Sequence, residues 1–520
     1  MLRLDIDQEI YLIQKTIHLA LALPGTGKTH SFLRTAKKLI NSGKKILYAL
    51  PTIQLADAIV ERLPSDLQAT RIDSSTRTKA NVVRMLNDAL MPNSGEVFVI
   101  CQHATLHKCS TEHLKDWMLV VDETPAILSL KHHTFKFDQF SQIKYIECVD
   151  GRVRIKFGMR QMMLNELSSY NSSKSNASVK TASILSDDVH DIYDALLSEL
   201  PVFVDDSVQK DNSGQCKNNR TVRIIREREY FPRFAAAQET HLLTAAVDGS
   251  LFDYYRELNG HSYTTSVFTP PARSVFPSVR IFPMLLPGAS LSKSLVTAES
   301  NSQPKVKNLS IIINCVKTYL GDNQCLFFTH KWAQTFYGSN IIVCDFDSRG
   351  IDTLKFCDHA LVVIHGNPTP PERRSLEFLA TSHGTRLSML LKAWEVTYKF
   401  EITLQNVFRT SLRSMYRGDG TLNLNPENKV LLFVQDYATA QYLKCYLPEA
   451  IIDDTLAASY RDEKPRGRTS HPDRETMIRM IKEGFGTNEI MAETKLSRTT
   501  ICKERSILGI PSKRSKQLAM

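Results

Sequence analysis

The chain has 520 residues, carries a formal net charge of +10 and contains 42% hydrophobic residues. A chain of this length suggests about three domains, because single hydrophobic cores stop growing beyond roughly 250–300 residues. No apolar run approaches the ~18 residues of a membrane span, and the first residues lack the features of a signal peptide. We therefore expect a cytoplasmic protein whose ten scattered cysteines stay reduced.

Residues 19–30 join an apolar strand pattern, a glycine turn and the start of a helical pattern. Gly25 and Gly27 let backbone N–H groups approach phosphate oxygens without a Cβ in the way. Lys28 would place its charge on the β/γ-phosphates, and Thr29 would offer a hydroxyl to Mg²⁺. The alternative is a chance glycine-rich turn. Strand, loop and helix in this order predict a site for the phosphates of a nucleotide, formed by Pro24, Gly25, Thr26, Gly27, Lys28 and Thr29.

A second nucleotide motif follows the apolar segment 117–121, which ends in Asp122 and Glu123. Two acids at the end of a buried strand, downstream of a phosphate loop, are rarer than an Asp-Glu pair on a surface. Asp122 would hold Mg²⁺ through water, and Glu123 would polarise the attacking water.

The rest of the chain changes character several times. A polar, low-complexity sequence around 168–176 predicts an insertion at about 131–235. A run rich in proline and serine predicts a hinge over 265–305. A second pattern of buried strands and helices follows over 306–460. The last sixty residues, 461–520, hold 14 Lys/Arg against 8 Asp/Glu, which favours a polyanionic partner.

Seven segments, in this order, resemble the motifs of superfamily 2 (DEAD/DEAH-like) helicases. They are the Ala-x-x-Gly-x-Gly-Lys-Thr loop at 22–29, two strand-end turns at 51–55 and 102–106, the acids at 122–123, and the segments 244–246, 349–352 and 405–413. The resemblance implies an α/β fold of two RecA-like parallel-sheet lobes, over 1–264 and 306–460, with ATP between them.

The resemblance also implies roles for particular residues. Thr52, His103 and Thr105 would contact a nucleic-acid strand, although an ordinary strand–helix connection at residue 52 is the alternative. The other residues implied would face the nucleotide from the second lobe: Gly350, Asp352, Gln405, Arg409 and Arg413.

Three positions depart from the family pattern. Ala246 replaces the usual last threonine of its motif, and Phe408 stands where glycine is usual. Arg413 falls one residue late, so Arg409 is the better candidate for the arginine that contacts the γ-phosphate. The alternative for this segment is an exposed basic helix.

The tail, 470–520, predicts three short helices and resembles the helix-turn-helix domains of resolvases and invertases. It departs from them at Met491 and Lys495, where a small alanine and a turn glycine are usual. On this resemblance the residues that would face duplex DNA are Arg498, Thr499, Thr500 and Lys503. A three-helix tail that binds a protein partner is the alternative.

Together these features predict an ATP- and Mg²⁺-dependent DNA helicase or translocase, with one strand in the motor cleft and duplex DNA at the tail. Replication or recombination of a bacterial or mobile element would suit it. The alternatives are an ATP-switched DNA-binding initiator or regulator that does not unwind, and an RNA helicase. A zinc site at Cys101, His103, His107 and Cys109 is disfavoured by its cramped spacing.

Overall fold

A computed structural model describes residues 15–75, 81–175, 186–210, 216–271, 277–299, 305–346, 354–414, 429–460, 473–507 and 510. The chain divides into two compact units, Met1–Ala458 and Ser459–Met520. None of the helices in the described ranges is long and apolar enough to cross a membrane.

The strands are numbered in chain order: β1 (Thr16–Leu21), β2 (Lys45–Leu50), β3 (Thr70–Ile72), β4 (Phe98–Gln102), β5 (Trp117–Asp122), β6 (Leu128–Lys136), β7 (Ile146–Val149), β8 (Arg152–Ile155), β9 (Val202–Lys210), β10 (Cys216–Glu227), β11 (Glu239–Thr244), β12 (Ser262–Thr265), β13 (Ser278–Pro283), β14 (Cys325–Thr329), β15 (Ile341–Asp345), β16 (His359–Val363), β17 (Lys429–Val434) and β18 (Ile451–Ile452).

The helices are α1 (Lys28–Asn41), α2 (Ile53–Val60), α3 (Val82–Leu90), α4 (His103–Leu106), α5 (Phe137–Ser141), α6 (Arg160–Ser175), α7 (Asp187–Leu197), α8 (Tyr230–Ala236), α9 (Leu251–Leu258), α10 (Lys293–Thr297), α11 (Asn308–Leu320), α12 (Pro370–Ser382), α13 (Leu387–Glu395), α14 (Ile402–Val407), α15 (Ser411–Ser414), α16 (Tyr437–Tyr446), α17 (Arg474–Lys482), α18 (Thr487–Thr494) and α19 (Arg498–Ile507). A π-helical turn, Val396–Glu401, joins α13 to α14.

The first lobe is a seven-stranded sheet in the order β12-β1-β11-β5-β2-β4-β3, and its described pairings are parallel. Its inner strands are apolar along their whole length because helices cover both faces. All six residues of β5 are buried, for example. One core contains Leu47 and Leu119, and the core on the opposite face contains Tyr48 and Val120. The strand order places the carboxyl ends of β1, β11 and β5 side by side.

The second lobe is a six-stranded sheet in the order β15-β14-β16-β17-β13-β18, also paired in parallel. The chain thus contains the two RecA-like parallel-sheet lobes that the sequence predicts. The hinge predicted over 265–305 is too broad, because β13 lies inside it and pairs with β17 and β18. Pro283 is the last residue of that strand and lies beyond the two residues that pair with β18, so its missing N–H does not interrupt that pairing.

The insertion forms a five-stranded sheet in the order β6-β10-β9-β8-β7, with antiparallel pairings. Its own core contains Val153, Ile192 and Val222 beneath the sheet. The strands run from Leu128 to Glu227, whereas the sequence predicts an insertion at about 131–235. The difference at the end arises because α8 packs Tyr230 and Phe231 into the core of the first lobe.

One face of the insertion packs on α12 of the second lobe. Arg223 on β10 donates a hydrogen bond to Ser375 Oγ at 3.2 Å and pairs with Asp205 at 2.5 Å. The Phe203 and Phe378 rings lie 4.7 Å apart between centroids. Apolar side chains from both sides complete the contact: Leu128, Ile225, Leu251, Leu376, Leu379, Leu390 and Trp394. The insertion, which extends from the first lobe, is therefore also in contact with the second lobe.

The second unit packs three helices, α17, α18 and α19, around a small core. Met477, Ile481, Ile490 and Ile501 are buried in it. Lys495 ends α18 with a left-handed backbone, φ 55°, where a glycine is favoured. Ser497 caps α19 and accepts a hydrogen bond from Thr500 N at 3.3 Å. Helix α18 begins at Thr487 and its cap is Gly486.

The contact between the insertion and the second lobe should contribute to stability. Leu376 is 0% exposed in it, so Leu376→Ala should lower the free energy of unfolding by roughly 2–5 kcal/mol through the lost burial and the cavity left. Urea titration followed by circular dichroism measures this. Leu258→Ala is the control, since Leu258 is 43% exposed on α9 and its loss should cost less than about 0.5 kcal/mol. Equal unfolding midpoints for the two variants would contradict the expected contribution.

Candidate functional site

The predicted phosphate loop connects β1 to α1. Gly25 and Gly27 have φ values of 78° and 90°, a left-handed backbone that side chains other than glycine rarely adopt. Helix α1 begins at Lys28 and has no acidic residue in its first turn. Its free N–H groups and its dipole therefore point positive charge at the loop. Pro24, Gly25, Gly27, Lys28 and Thr29 line the same cleft, whereas Thr26 is buried and donates to Leu23 O at 2.8 Å.

Lys28 lies within the loop, and its ammonium donates to two loop carbonyls. The distances from Nζ are 2.5 Å to Ala22 O and 3.0 Å to Leu23 O. Burial lowers the pKa of Lys28 to about 8, and the neighbouring carboxylates of Asp122 and Glu123 oppose that shift. The charge is thus held close to the amides that would surround a phosphate chain.

Asp122 ends β5 and is 5% exposed. Its Oδ2 accepts hydrogen bonds from Tyr48 OH at 2.6 Å and from Thr29 Oγ1 at 2.8 Å. Burial raises the pKa of Asp122, and these two donors together with the Lys28 charge act in the opposite direction. A carboxylate and a hydroxyl side by side are the hard oxygen donors that Mg²⁺ prefers, so Thr29 and Asp122 fit the predicted metal.

Strand β11 lies between β1 and β5 and forms a backbone hydrogen bond to the segment that follows each of them. Ala22 N donates to Thr244 O at 3.1 Å, and Glu123 N donates to Leu243 O at 2.8 Å. Glu123 has φ 64°, a strained conformation for a residue with a Cβ. The Thr244 and Thr124 hydroxyls lie 2.8 Å apart, and Thr244 also donates to Ala246 O at 3.0 Å. The predicted segment 244–246 therefore touches both nucleotide motifs.

The second lobe supplies the far wall of the cleft. Helix α14 ends at Val407 and α15 begins at Ser411, and this break turns Arg413 back toward the loop. A Cβ on Gly25 would lie 2.7 Å from Arg413 Cγ. The cleft has a volume of about 340 Å³. Its charged and polar walls comprise Lys28, Thr29, His30, Arg62, Asp122, Glu123, Lys355, Gln405, Arg409 and Arg413. The extra residue between the two arginines is thus absorbed, and both face one cleft.

A second cavity, of about 120 Å³, lies next to the first where the lobes meet. Glu123 and Gln405 line both cavities, so they stand between them. Phe346 and Tyr398 close the second cavity from the second lobe, and Leu251 closes it from the first.

The predicted strand-contacting residues are placed less uniformly. Thr52 caps α2, with its hydroxyl accepting from Leu55 N at 3.2 Å. His103 and Thr105, on α4, are buried, with 7% and 6% exposure. Contact between these side chains and a nucleic acid stays a prediction, and for His103 and Thr105 it requires local movement.

In the second unit, Arg498, Thr499 and Thr500 are exposed in the first turn of α19. Lys503 belongs to the same helix, and its side chain lies outside the described part of the chain. Gly350 and Asp352 also fall outside the described residues.

The residues of this site that were not found from sequence include Tyr48, which binds Asp122, and Lys355, which lines the cleft. Tyr48 is fully buried in β2 and reaches across the sheet to Asp122. The sequence does contain one indication, which is a tyrosine hydroxyl within an otherwise apolar strand. Lys355 is an exposed lysine in a loop that lines the cleft, and its sequence context is ordinary. Only the folded chain brings it to the phosphate side.

Residues 9–153 match the family model described as DEAD/DEAH box helicase. The matched residues are 145 of the 520 and lie in the first lobe and the start of the insertion. They indicate a helicase domain of superfamily 2, which is a nucleic-acid-dependent ATPase domain, in this part of the chain. No curated protein matches the chain.

Several solved structures are similar at low identity. Mss116p bound to ssRNA and AMP-PNP is 11% identical over 93% of this chain and 80% of that chain, with a TM-score of 0.31. A DEAD box protein from the hyperthermophile Methanococcus jannaschii is 11% identical over 84% and 88%, with a TM-score of 0.28. The helicase MrfA bound to DNA and AMPPNP is 11% identical over 84% and 50%, also at 0.28. Likenesses with TM-scores this low add no support for a function.

The contact between Gly25 and Arg413 gives a matched pair of variants. Gly25→Ala and Gly43→Ala both place a Cβ on a left-handed backbone, but only Gly25 has a neighbour within 4 Å. We expect Gly25→Ala to lower ATP turnover by roughly tenfold or more, since it strains the loop and displaces Arg413. Gly43→Ala should leave turnover near that of the wild type. Steady-state ATPase assays compare them, and equal losses would show that the contact is unimportant.

The lowered pKa of Lys28 predicts a pH dependence of nucleotide affinity. Lys28 is charged below a pKa of about 8 and loses its proton above it, whereas the phosphates, with a last pKa of about 6, are already mostly ionised at pH 7 and stay so. The Kd of a non-hydrolysable ATP analogue should therefore rise by roughly tenfold from pH 7 to pH 9. Lys28→Arg keeps its charge throughout, so its Kd should change little over that range. Calorimetric titration measures both, and parallel profiles would contradict the assignment.

Proposed function

We propose that this chain is an ATP-dependent DNA translocase or helicase. The observation that carries the proposal is the cleft itself, where the phosphate loop and both acids of the first lobe face Arg409 and Arg413 of the second. Cations from both lobes surround a space suited to a triphosphate. A nucleotide bound there would hold the two lobes together, and its hydrolysis would release them.

The residues of the cleft have separable roles in ATP hydrolysis. The loop amides and Lys28 hold the phosphate chain, and Glu123 orients and polarises the attacking water. Bound Mg²⁺, held by Thr29 and Asp122, would neutralise charge on the β- and γ-phosphates. Arg409 stabilises the charge that develops on the transferred phosphate, and Arg413 supports it from the next turn. Gln405 and Glu123 share a wall, so the water site lies at the junction of the lobes.

Coupling to nucleic acid is proposed to pass through β11. Thr244 contacts the backbone of the phosphate loop and the hydroxyl of Thr124, so its position depends on both nucleotide motifs. The strand-end segments at Thr52 and at 103–105 follow β2 and β4, which lie beyond β5 in the same sheet. They form the proposed track for a single strand, next to the ATP edge and separate from it.

The second unit is proposed to bind duplex DNA. Three short helices with a turn at Lys495 suit a helix-turn-helix, and α19 exposes Arg498, Thr499 and Thr500 together. DNA is favoured over RNA because such helices read a major groove that A-form RNA makes too narrow.

Two other functions compete with this proposal. An ATP-switched DNA-binding initiator or regulator would use the same cleft without moving along a strand. An RNA helicase would use the same motor with a different track.

Stimulated ATPase assays separate the three functions. We expect single-stranded DNA to raise turnover and single-stranded RNA to raise it less. Arg409→Ala should reduce turnover by roughly 10³-fold or more, which is typical for loss of an arginine finger. Lys38→Ala, an exposed lysine late in α1, is the control and should leave turnover unchanged. ATPase activity indifferent to any nucleic acid would exclude the motor, and stimulation by RNA alone would favour the RNA helicase.

A second test concerns the independence of the two units. Lys28→Ala should abolish turnover and leave the affinity for duplex DNA intact, because Lys28 lies in the first unit. Arg498→Ala should do the reverse and weaken duplex binding while basal turnover persists. Gel-shift and ATPase measurements on the full chain report both quantities. Joint loss in either variant would contradict a separate DNA-binding tail.

A further inference from the structure

One strand of the insertion carries a row of positive charge. Strand β8 and the turn after it expose Arg152, Arg154 and Lys156 to solvent. Phe157 follows directly and is 101% exposed, as free as a phenyl ring can be in a folded chain. These four residues are called the β8 edge below; the name refers to the row of side chains, since β8 itself is paired with β7 and β9.

The geometry of a strand aligns these charges. Val153 is 2% exposed and points into the core of the insertion, so Arg152 and Arg154 point to the opposite face. Alternate residues on a strand lie about 6.6 Å apart, and Lys156 continues the same spacing beyond the end of β8. The result is a straight line of cations that ends at an aromatic ring.

These cations are unpaired, in contrast to others in the same sheet. On β10, Arg220, Arg223 and Arg226 form ion pairs with Asp206, Asp205 and Asp194. Within the described ranges, the side chains of Arg152, Arg154 and Lys156 make no ion pair and no hydrogen bond. The neighbouring acids are Glu147, opposite Arg154 in the sheet, and Asp150 in the hairpin turn. Residues 144–160 hold five basic side chains against these two acidic ones.

The β8 edge begins where the insertion meets the second lobe. Arg152 pairs with Phe203 across β8 and β9, so the two side chains share a face of the sheet. The Phe203 ring lies 4.7 Å from that of Phe378 on α12. A chain bound along β8 would therefore lie at the junction of the insertion and the motor lobe.

We propose that the β8 edge binds single-stranded nucleic acid, with its cations on successive phosphates and Phe157 stacked on a base. Evenly spaced, unpaired cations suit a regular polyanion, and an isolated exposed ring suits base stacking. This site deepens the proposed function and rests on it, since it assumes that nucleic acid is the partner. The insertion then gives the motor a second grip on its strand. An acidic protein is the competing partner.

The first test neutralises the row in the full chain, as Arg152→Gln, Arg154→Gln and Lys156→Gln together. The Kd for a labelled oligothymidine should rise, and the slope of log K against log salt should become shallower by about 2, the value for three lost phosphate contacts on a single strand. The matched control neutralises three exposed cations of the first lobe, Arg34, Lys38 and Lys115. An unchanged slope in the first variant, or an equal change in both, overturns the proposal. The unchanged slope is also the result expected for a protein partner.

The second test uses Phe157, whose full exposure makes its replacement harmless to folding. Phe157→Ala should weaken binding by roughly fivefold or more through lost stacking, and the salt slope should stay as in the wild type. Phe157→Trp should restore the affinity. A loss that Trp does not restore, or no loss at all, overturns the stacking role.

ATPase assays on the same variants separate this site from the motor. DNA stimulation of the wild type, with the same half-saturating DNA concentration in the triple variant, would overturn the proposed binding site at the β8 edge and support the motor function. Loss of oligonucleotide binding in the triple variant, with no stimulation of the wild type by any nucleic acid, would support the binding site at the β8 edge and overturn the motor function. We expect stimulation in both proteins, with half-saturation shifted to higher DNA concentration in the variant.

Discussion

The nucleotide site depends on the parallel pairing of β11 between β1 and β5. Backbone hydrogen bonds connect this strand to the phosphate loop on one side and to Glu123 on the other. Neighbouring strand ends in a sheet are only about 4.8 Å apart, so Thr244 meets Thr124 although 120 residues separate them in the chain. Glu123 adopts its strained backbone at this junction. Without β11 in this position, the loop and the acids would not share one edge.

The insertion follows from the same arrangement. It leaves the first lobe a few residues after Glu123, and its last strand ends at Glu227, which pairs with Leu128, so both of its ends lie near the nucleotide edge. Its sheet packs on α12 through Arg223 and Phe203. A change in the distance between the lobes must therefore alter the contacts of the insertion as well as the cleft. The proposed grip at the β8 edge would place a bound strand on the element that connects both.

Local chemistry explains which predictions succeeded. Strand, glycine loop and helix order can be read from neighbouring residues, and the structure has them at Leu21, Gly25 and Lys28. The runs of buried residues predicted two parallel sheets for the same reason. The hinge over 265–305 was too broad because a short strand bounded by prolines has the composition of a linker. Strand β13 becomes visible only through its pairing with β17.

The sequence by itself determined the lobes, the phosphate loop and the acids, because each depends on residues close together in the chain. Tertiary structure decided what meets across the cleft. The sequence left Arg413 out of register, and a break between two helices returns it to Gly25. Tyr48 reaches Asp122 only because β2 pairs with β5. Tertiary structure also decides which cations of the insertion have an acidic partner. The arginines of β10 have one and the described cations of β8 do not, because the sheet determines which side chains are neighbours.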